Sequence, residues 1–223
     1  MFNDTYLTTT IYRLPVFPKT NNILLIGDNK RTLAEVATDF VFSSYKFYNH
    51  IIVFDMYNLF RNLTNTKTLI TNNVKHINNL LKYLVNNNIE NNIALVILNA
   101  QLINQDLLLK LIKQQKQNIN IFLAYNNYIK KVYDIAFNVE EVIFFKTQNK
   151  KILRIGNNLC LDSDVKFYNL IQKAKNGFVV CNMINRSCEI HKTNLGLKAH
   201  LLYNNITEII EICLTKKDTT INS

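Results

Sequence analysis

Short runs dominated by apolar residues recur along the chain, and most are followed by a polar turn and then by a stretch with helical periodicity. Each run is long enough for a strand and too short for a membrane helix; the five runs are residues 23–26, 50–55, 93–99, 119–124 and 139–145. Unbroken apolar runs indicate strands buried on both faces, which is typical of parallel sheets. The alternation predicts a right-handed, doubly wound, mostly parallel α/β sheet with helices on both faces.

The segments between and after these runs complete the predicted domain. Helical spacing is found at 32–45, 74–84, 105–117 and 162–176, and a short helix or turn is expected at 128–135. Residues 58–73 are polar and are expected to be irregular, and Gly177 suits the position after a helix end. Residues 178–183 and 188–192 alternate as a C-terminal hairpin that pairs with the fifth run, and 206–214 form a last helix or strand. We therefore predict an arm or edge strand at 1–22, one domain at 23–214 and a polar tail at 215–223.

Composition limits the classes of function. The net charge of +10, from 26 Lys and Arg against 16 Asp and Glu, favours a polyanionic partner such as nucleic acid, although lysines can also form an ordinary solvated surface. Only four glycines occur, which argues against a glycine-rich phosphate cradle. No signal peptide and no apolar run of membrane-spanning length is found. The four cysteines are scattered, so an intracellular protein with reduced thiols is expected.

The turn after the first run carries the residues that most resemble a phosphate site. Gly27 ends the strand, and Lys30, Arg31 and Thr32 precede a helix, which would aim backbone N–H groups at an anion. A Walker A loop reads G-x-x-x-x-G-K-[ST], whereas Lys30 lies three positions after Gly27 and the second glycine is absent. Three interpretations stay open: a solvated strand-to-helix turn, a degenerate loop that binds phosphate weakly, and a working ATP site.

A metal carboxylate is missing where such a site needs one. The third run ends at Asn99, followed by Ala100, where a Walker B strand would end in Asp and an acid beside it. Without that carboxylate, phosphoryl transfer loses its main electrostatic contribution. Asp55 ends the second run and is either a turn or cap residue or a substitute metal ligand.

Two other clusters invite a binding hypothesis. Cys181, Cys188, His191 and His200 are close in sequence, but their spacing departs from zinc motifs and favours hairpin packing instead. Basic residues interleaved with tyrosines would suit either a nucleic-acid surface or a solvated lysine face. The basic residues are Lys110, Lys113, Lys116, Lys130, Lys131, Lys146, Lys150, Lys151 and Arg154, and the tyrosines are Tyr125, Tyr128 and Tyr133.

The order of these features resembles the FtsK/HerA-type genome-packaging ATPases of large DNA viruses, over about residues 20–195. The resemblance is carried by segments 23–27, 50–54, 95–98, 118–124, 137–145 and 177–180. It implies a P-loop-NTPase-like fold and ATP and Mg2+ as the family's cofactors, and it puts Tyr125 or Asn126 at the position of the family's polar sensor, which is often Gln. The family's arginine before the position of Asn138 is absent here. The resemblance also implies double-stranded DNA, capsid or packaging-complex proteins and a ring homo-oligomer as partners, in the host cytoplasm or nucleus or in the virion.

Three functions follow from these patterns. The first is a pseudo-ATPase related to viral packaging ATPases, which acts through DNA or protein contacts and has no catalytic residues. The second is an active ATPase whose metal carboxylate is Asp55. The third is a scaffold protein that uses an α/β sheet and binds no nucleotide. Function lies in the site rather than in the fold, so the fold cannot choose among them.

Overall fold

The chain was analysed as a computed structural model, which describes residues 22–29, 32–33, 36–37, 47–56, 58, 67–159, 167–174, 177–184 and 187–192. The chain divides into two compact units, Met1–Lys192 and Thr193–Ser223, and all the described residues belong to the first. The predicted arm, the element at 206–214 and the tail lie outside the described residues, apart from Asn22. Their limits stay predictions.

Eight strands form one sheet in the order β3-β2-β4-β5-β1-β6-β7-β8. The strands are β1 Ile23–Ile26, β2 His50–Phe54, β3 Thr68–Thr71, β4 Ile93–Leu98, β5 Ile119–Tyr125, β6 Glu141–Phe145, β7 Gly177–Asn182 and β8 Ser187–Lys192. Strands β1 to β6 pair in parallel, whereas β7 and β8 are antiparallel. The predicted mostly parallel sheet and the pairing of the hairpin with β6 are both confirmed.

Strand β1 lies between β5 and β6, where Ile26 is opposite both Tyr125 and Phe144. All four residues of β1 are buried, as its unbroken apolar run predicts. Strand β4 is an interior strand between β2 and β5, one place from the middle of the sheet. The carboxyl ends of β1, β5 and β4 are therefore neighbours, in that order.

Five helices and one 3-10 turn are described in full. They are α1 Val74–Asn86, the turn Ala100–Leu102, α2 Gln105–Lys113, α3 Lys131–Ala136, α4 Lys150–Leu159 and α5 Phe167–Lys173. Asparagine begins several of them: Asn73, Asn104 and Asn149 each accept backbone N–H bonds from the first turn that follows. Thr32, Leu33, Val36 and Ala37 are also helical, and we call them the helical segment after β1.

The helices cover both faces of the sheet. One core cluster contains alternate strand residues, such as Leu24 and Ile26 of β1, together with the buried sides of α1 to α5. Leu33, Val36 and Ala37 are also buried but do not belong to that cluster. The connection from β1 to β2 crosses the sheet in the opposite direction from those that contain α1, α2 and α3, so right-handed crossovers assign the helical segment after β1 to the opposite face. This is the doubly wound arrangement that the sequence predicts.

The local predictions were wrong at four places. Residues 68–71 form an edge strand rather than irregular chain, and its Leu69 is 60% exposed. A helix, α4, occupies 150–159, for which only a basic surface was predicted. Helix α2 ends at Lys113 rather than at 117, because Gln115 has a left-handed backbone with φ of 44°. Gly177 begins β7 instead of following a helix end.

Candidate functional site

The turn after β1 is a capped helix start with a short connection. Only Gly27 and Asp28 separate Ile26 from Asn29. The Asn29 side chain accepts a bond of 3.2 Å from the Thr32 N–H, and its carbonyl accepts one of 3.1 Å from the Leu33 N–H. The Thr32 amide is thus already bonded. Lys30 and Arg31 lie outside the described residues, and the assignment of Lys30, Arg31 and Thr32 to an anion stays a prediction.

Gly27 is required by packing rather than by loop conformation. No described glycine has a positive φ. A Cβ atom added at Gly27 would lie 2.8 Å from Phe145 Cβ, at the end of the neighbouring strand β6. The Gly27 N–H donates to the Tyr125 carbonyl at 3.2 Å and so continues the β1–β5 pairing by one residue. The glycine allows β1 to pass close to β6 at the point where the chain leaves the sheet.

Asp28 joins this turn to the loop after β6. One of its carboxylate oxygens accepts bonds from Thr147 Oγ1 at 2.8 Å and from the Gln148 N–H at 3.2 Å. Thr147 is 2% exposed, and its hydroxyl also accepts the Asn149 N–H that leads into α4. Sequence reasoning missed Asp28, although an acid directly after the strand glycine is the signal that would have drawn attention to it.

Asn99 occupies the position of the Walker B carboxylate, and its backbone is in the left-handed conformation. Asn99 follows β4 with φ of 57° and is 7% exposed, and Ala100 is fully buried. Because β5 stands between β1 and β4, Asn99 lies about 10 Å from Gly27 at ordinary strand spacing. No carboxylate follows β4 at this position, as the sequence indicates.

The sensor positions hold the neighbouring loop together. Tyr125 is fully buried and donates from its hydroxyl to Gln105 Oε1 at 2.5 Å, and burial raises the pKa of Tyr125. The Gln105 amide donates to the carbonyls of Ala100 and Ile103 at 2.6 and 2.7 Å. Asn126, which is 7% exposed, accepts a bond from Gln101 Nε2. Tyr125 and Asn126 therefore fix the connection between β4 and α2.

Asp55 belongs to a different part of the sheet edge. It is 1% exposed at the end of β2, and it lines a cavity of about 370 Å3 with Thr71, Asn73 and His76. Three strand spacings separate β2 from β1, which is about 14 Å. A metal ion holds its oxygen ligands at about 2 Å, so one ion could not contact Asp55 and a phosphate at the β1 turn together.

The cysteines form a packing pair in the hairpin. Cys181 of β7 lies opposite Cys188 of β8 in the pairing register, and neither forms a disulfide. No group of three or more His, Cys, Asp or Glu side chains suited to a metal ion occurs among the described residues. The pairing register agrees with hairpin packing, and His200 lies outside the described residues, so the choice between packing and zinc stays a prediction.

The basic residues divide into engaged and exposed groups. Lys116 donates to carbonyls at the end of α1, including those of Leu84 and Asn87, so it is a capping residue. Lys131 pairs with Asp106 at 2.9 Å, and the hydrogen bond to Asp106 raises the pKa of Lys131. Lys151 lies 5.2 Å from the Tyr128 ring centre. The other basic residues of the predicted set are exposed and have no described ion pair: Lys110, Lys113, Lys130, Lys146, Lys150 and Arg154.

Comparisons with known proteins gave matches at the level of fold. No protein-family model and no curated protein matches this chain. Among solved structures, the genome-packaging NTPase B204 of Sulfolobus turreted icosahedral virus 2, in complex with ATPγS, is 14% identical with a TM-score of 0.56, over 77% of this chain and 96% of that chain. The pCW3 conjugation coupling protein TcpA is 17% identical with a TM-score of 0.56, over 73% of this chain and 57% of that chain. The chain has a P-loop-NTPase-like fold.

A third solved structure agrees with this assignment. The DNA-packaging ATPase B204 of Sulfolobus turreted icosahedral virus is 16% identical with a TM-score of 0.51, over 79% of this chain and 98% of that chain.

Within the P-loop-NTPase-like fold, Gly27, Asn99 and Asn126 stand at the carboxyl ends of three neighbouring strands, where ligands meet open α/β sheets. No described helix is long and apolar enough to cross a membrane.

Proposed function

We propose that this chain is a DNA-packaging-ATPase-like protein that does not hydrolyse ATP and acts through contacts with DNA or with proteins of a packaging complex. The observation that carries the proposal is the turn after β1. Two residues connect the strand to Asn29, and the Asn29 side chain occupies the Thr32 amide. A phosphate bound at that turn would have to displace the cap and would find no second glycine to wrap it.

The missing metal carboxylate supports the same proposal. Asn99 has no charge, and Asp55 is about 14 Å from the β1 turn by strand spacing. Asp28 is near the turn, but one of its oxygens already accepts two bonds from the loop after β6. The described residues therefore do not fit a Mg2+ ion bridging to a nucleotide, and no catalytic step is assigned to this chain.

The DNA part of the proposal rests on the neighbours in fold and on charge. B204 is named as a DNA-packaging ATPase and TcpA as a conjugation coupling protein. This chain combines their fold with a net charge of +10, which suits a polyanionic partner. Assembly into a ring and attachment to a capsid belong to the same proposal and are tested by mass measurement and by pull-down from virus particles.

A thermal-shift titration tests the nucleotide part. A ligand at 100 times its dissociation constant stabilises the native state by about 2.7 kcal/mol, which shifts the Tm of a protein of this size by about 5–10 °C. We expect no magnesium-dependent shift with ATP or ADP at millimolar concentrations. A parallel phosphate-release assay, with and without DNA, is expected to give no turnover.

Two variants give this experiment its controls. A magnesium-dependent Tm shift that disappears in Lys30→Ala would show that Lys30 contacts a bound nucleotide and that the turn is a working phosphate site. Phosphate release that disappears in Asp55→Asn would establish the active-ATPase alternative. Either result would overturn the proposal.

A further inference from the structure

An open groove lies between helices α2 and α3, which pack side by side on one face of the sheet. Its volume is about 510 Å3, and it is lined by Leu109, Lys113, Tyr133, Asp134, Phe137 and Asn138. The lining residues follow helical spacing, since Leu109 and Lys113 are four residues apart on α2. The Lys131–Asp106 ion pair joins α3 to α2 and helps to hold the two walls together.

The wall formed by α3 presents aromatic rings. Phe137 directly follows α3, is 43% exposed, and its ring centre lies 4.8 Å from that of Tyr133 at an angle of 50°. The Tyr133 hydroxyl accepts a bond of 3.1 Å from Asn158 Nδ2 of α4, which holds the Tyr133 ring in place against Phe137. A large ring that is fixed in place and partly exposed is a surface on which a flat apolar group can stack.

The surroundings of the groove carry positive charge. Lys110 and Lys113 are exposed in the last turn of α2, and Lys130 is exposed just before α3. One carboxylate, that of Asp134, also lines the groove. Over both helices and Lys130, four lysines face two carboxylates, and Lys131 and Asp106 are paired with each other, so the electrostatic attraction is for an anion.

These two properties together select the ligand. Duplex DNA would explain the lysines but would hide its base faces from Phe137. An apolar peptide would explain Phe137 but not the lysines. Single-stranded nucleic acid offers phosphates and unstacked bases in the same chain, which is how aromatic platforms with basic rims bind it.

We infer that the groove between α2 and α3 binds single-stranded nucleic acid, with Phe137 stacking on a base and Lys113 and Lys110 contacting phosphates. The inference rests on the nucleic-acid part of the proposed function and names a surface and a strand type for it. It requires no nucleotide at the β1 turn, so the presence or absence of ATP binding does not bear on it.

Fluorescence anisotropy with a labelled 20-nucleotide oligothymidine, titrated at two salt concentrations, tests the inference. Phe137→Ala is expected to weaken binding by about 5- to 150-fold, the loss of one stacked base. Lys113→Gln is expected to lower the slope of log affinity against log salt by about 0.7 for each phosphate that is no longer neutralised. Asp134→Asn is expected to strengthen binding by about 1.5- to 5-fold, since it removes the one negative charge in the lining.

Helix α1 provides matched controls outside the groove. Tyr83 is 57% exposed and Lys82 beside it is also exposed, so Tyr83→Ala and Lys82→Gln remove the same kinds of group elsewhere. Both are expected to leave the affinity and the salt slope unchanged. Circular dichroism melts of every variant exclude unfolding as the cause of a loss.

The outcomes separate the inference from the proposed function. Equal losses of affinity in Phe137→Ala and Tyr83→Ala would overturn the assignment of the binding site to the groove. Tighter binding of duplex than of single strand, unaffected by Phe137→Ala, would also overturn the groove but would keep DNA as the partner. No salt-dependent binding of either strand would overturn both the groove and the DNA part of the proposed function.

Discussion

The turn after β1 and the turn before α1 begin their helices in the same way, although only the first was expected to bind a ligand. Before α1, the Asn73 side chain accepts the Lys75 and His76 amides at 2.9 and 3.4 Å. After β1, the Asn29 side chain accepts the Thr32 amide at 3.2 Å. Asparagine side chains supply these caps because their oxygen reaches the amides that a helix start leaves unbonded.

The two turns differ in what lies beside them. The turn after β1 is attached on both sides, by Gly27 to the Tyr125 carbonyl of β5 and by Asp28 to Thr147 after β6. The turn before α1 borders the 370 Å3 cavity that Asp55 lines. A phosphate site needs free amides, and in the described part of the β1 turn the Gly27 and Thr32 amides are already bonded. The position in the fold therefore predicts a site less well than the hydrogen bonds do.

The largest effect is expected from Gly27→Ala. The added Cβ would lie 2.8 Å from Phe145 Cβ, an atom close to the backbone that no rotamer can move away. We expect a loss of about 1–3 kcal/mol of unfolding free energy, which is typical of overpacking. Urea denaturation measures it, with Lys82→Ala on the exposed side of α1 as a control for ordinary surface change. A Gly27→Ala variant as stable as the wild type would mean that the turn is not held against β6.

The second effect compares the two caps directly. Asn29→Ala and Asn73→Ala should each cost about 1 kcal/mol, within the range of 0.5–2 kcal/mol for lost caps. Asn29→Asp and Asn73→Asp keep the acceptor oxygen and should cost little, because a negative charge is favourable at a helix start. Thermal melts of the four variants measure the comparison. A loss confined to Asn73→Ala would contradict the equivalence of the two turns.

The third effect concerns the threonines next to the two turns. The Thr147 hydroxyl makes two described hydrogen bonds, since it donates to Asp28 and accepts the Asn149 N–H. The Thr71 hydroxyl makes one described hydrogen bond, in which it accepts the Asn73 N–H at 3.1 Å. Thr147→Val should therefore cost about 0.5–1.5 kcal/mol, and more than Thr71→Val. A double-mutant cycle of Thr147→Val with Asp28→Asn isolates the bond between them. Additive losses in that cycle would show that the bond does not stabilise the turn.

The sequence predicted the interior of the sheet well and its margins poorly. Strands such as β1 and β4 are buried on both faces, so their apolar runs are visible without any knowledge of partners. Edge strand β3 is half exposed and contains two threonines, so it shows no such run. Helix α4 has buried residues at Ile152, Ile155 and Leu159, but its lysines drew attention to charge instead of periodicity.

The candidate site was predictable only as a set of positions. Strand ends placed Gly27, Asn99 and Tyr125 on one edge of the sheet, and the structure agrees. Their partners could not be predicted, because the bonds join distant parts of the chain. Thr147 is 119 residues from Asp28. The lack of a metal carboxylate at Asn99, by contrast, was visible in the sequence, because it depends on residue type alone.

The smallest expected change in stability concerns the amino-terminal end of β1. A second carboxylate, that of Glu140, links β1 to β6 there, as Asp28 does at the carboxyl end. Glu140 precedes β6, and one of its carboxylate oxygens accepts the Asn22 N–H at 2.5 Å. Burial raises the pKa of Glu140 above its ordinary value, even though the hydrogen bond with Asn22 opposes this. Asp28 is exposed and makes the corresponding link at the carboxyl end of the strands, so the two ends differ in burial.

The raised pKa of Glu140 fixes the sign of a pH effect. The native state holds the Glu140 proton more tightly than the unfolded chain does, so the stability from this group is complete below the unfolded pKa. It is lost as the pH rises from there through the folded pKa. The Gln side chain of Glu140→Gln stays neutral at every pH and keeps an acceptor for the Asn22 N–H. The Tm of this variant minus that of the wild type should therefore increase as the pH rises from 4 to 7. Glu90→Gln, at an exposed site, is the control for removal of a charge. A Tm difference for Glu140→Gln that falls with pH would mean that the ionised carboxylate strengthens the link between β1 and β6.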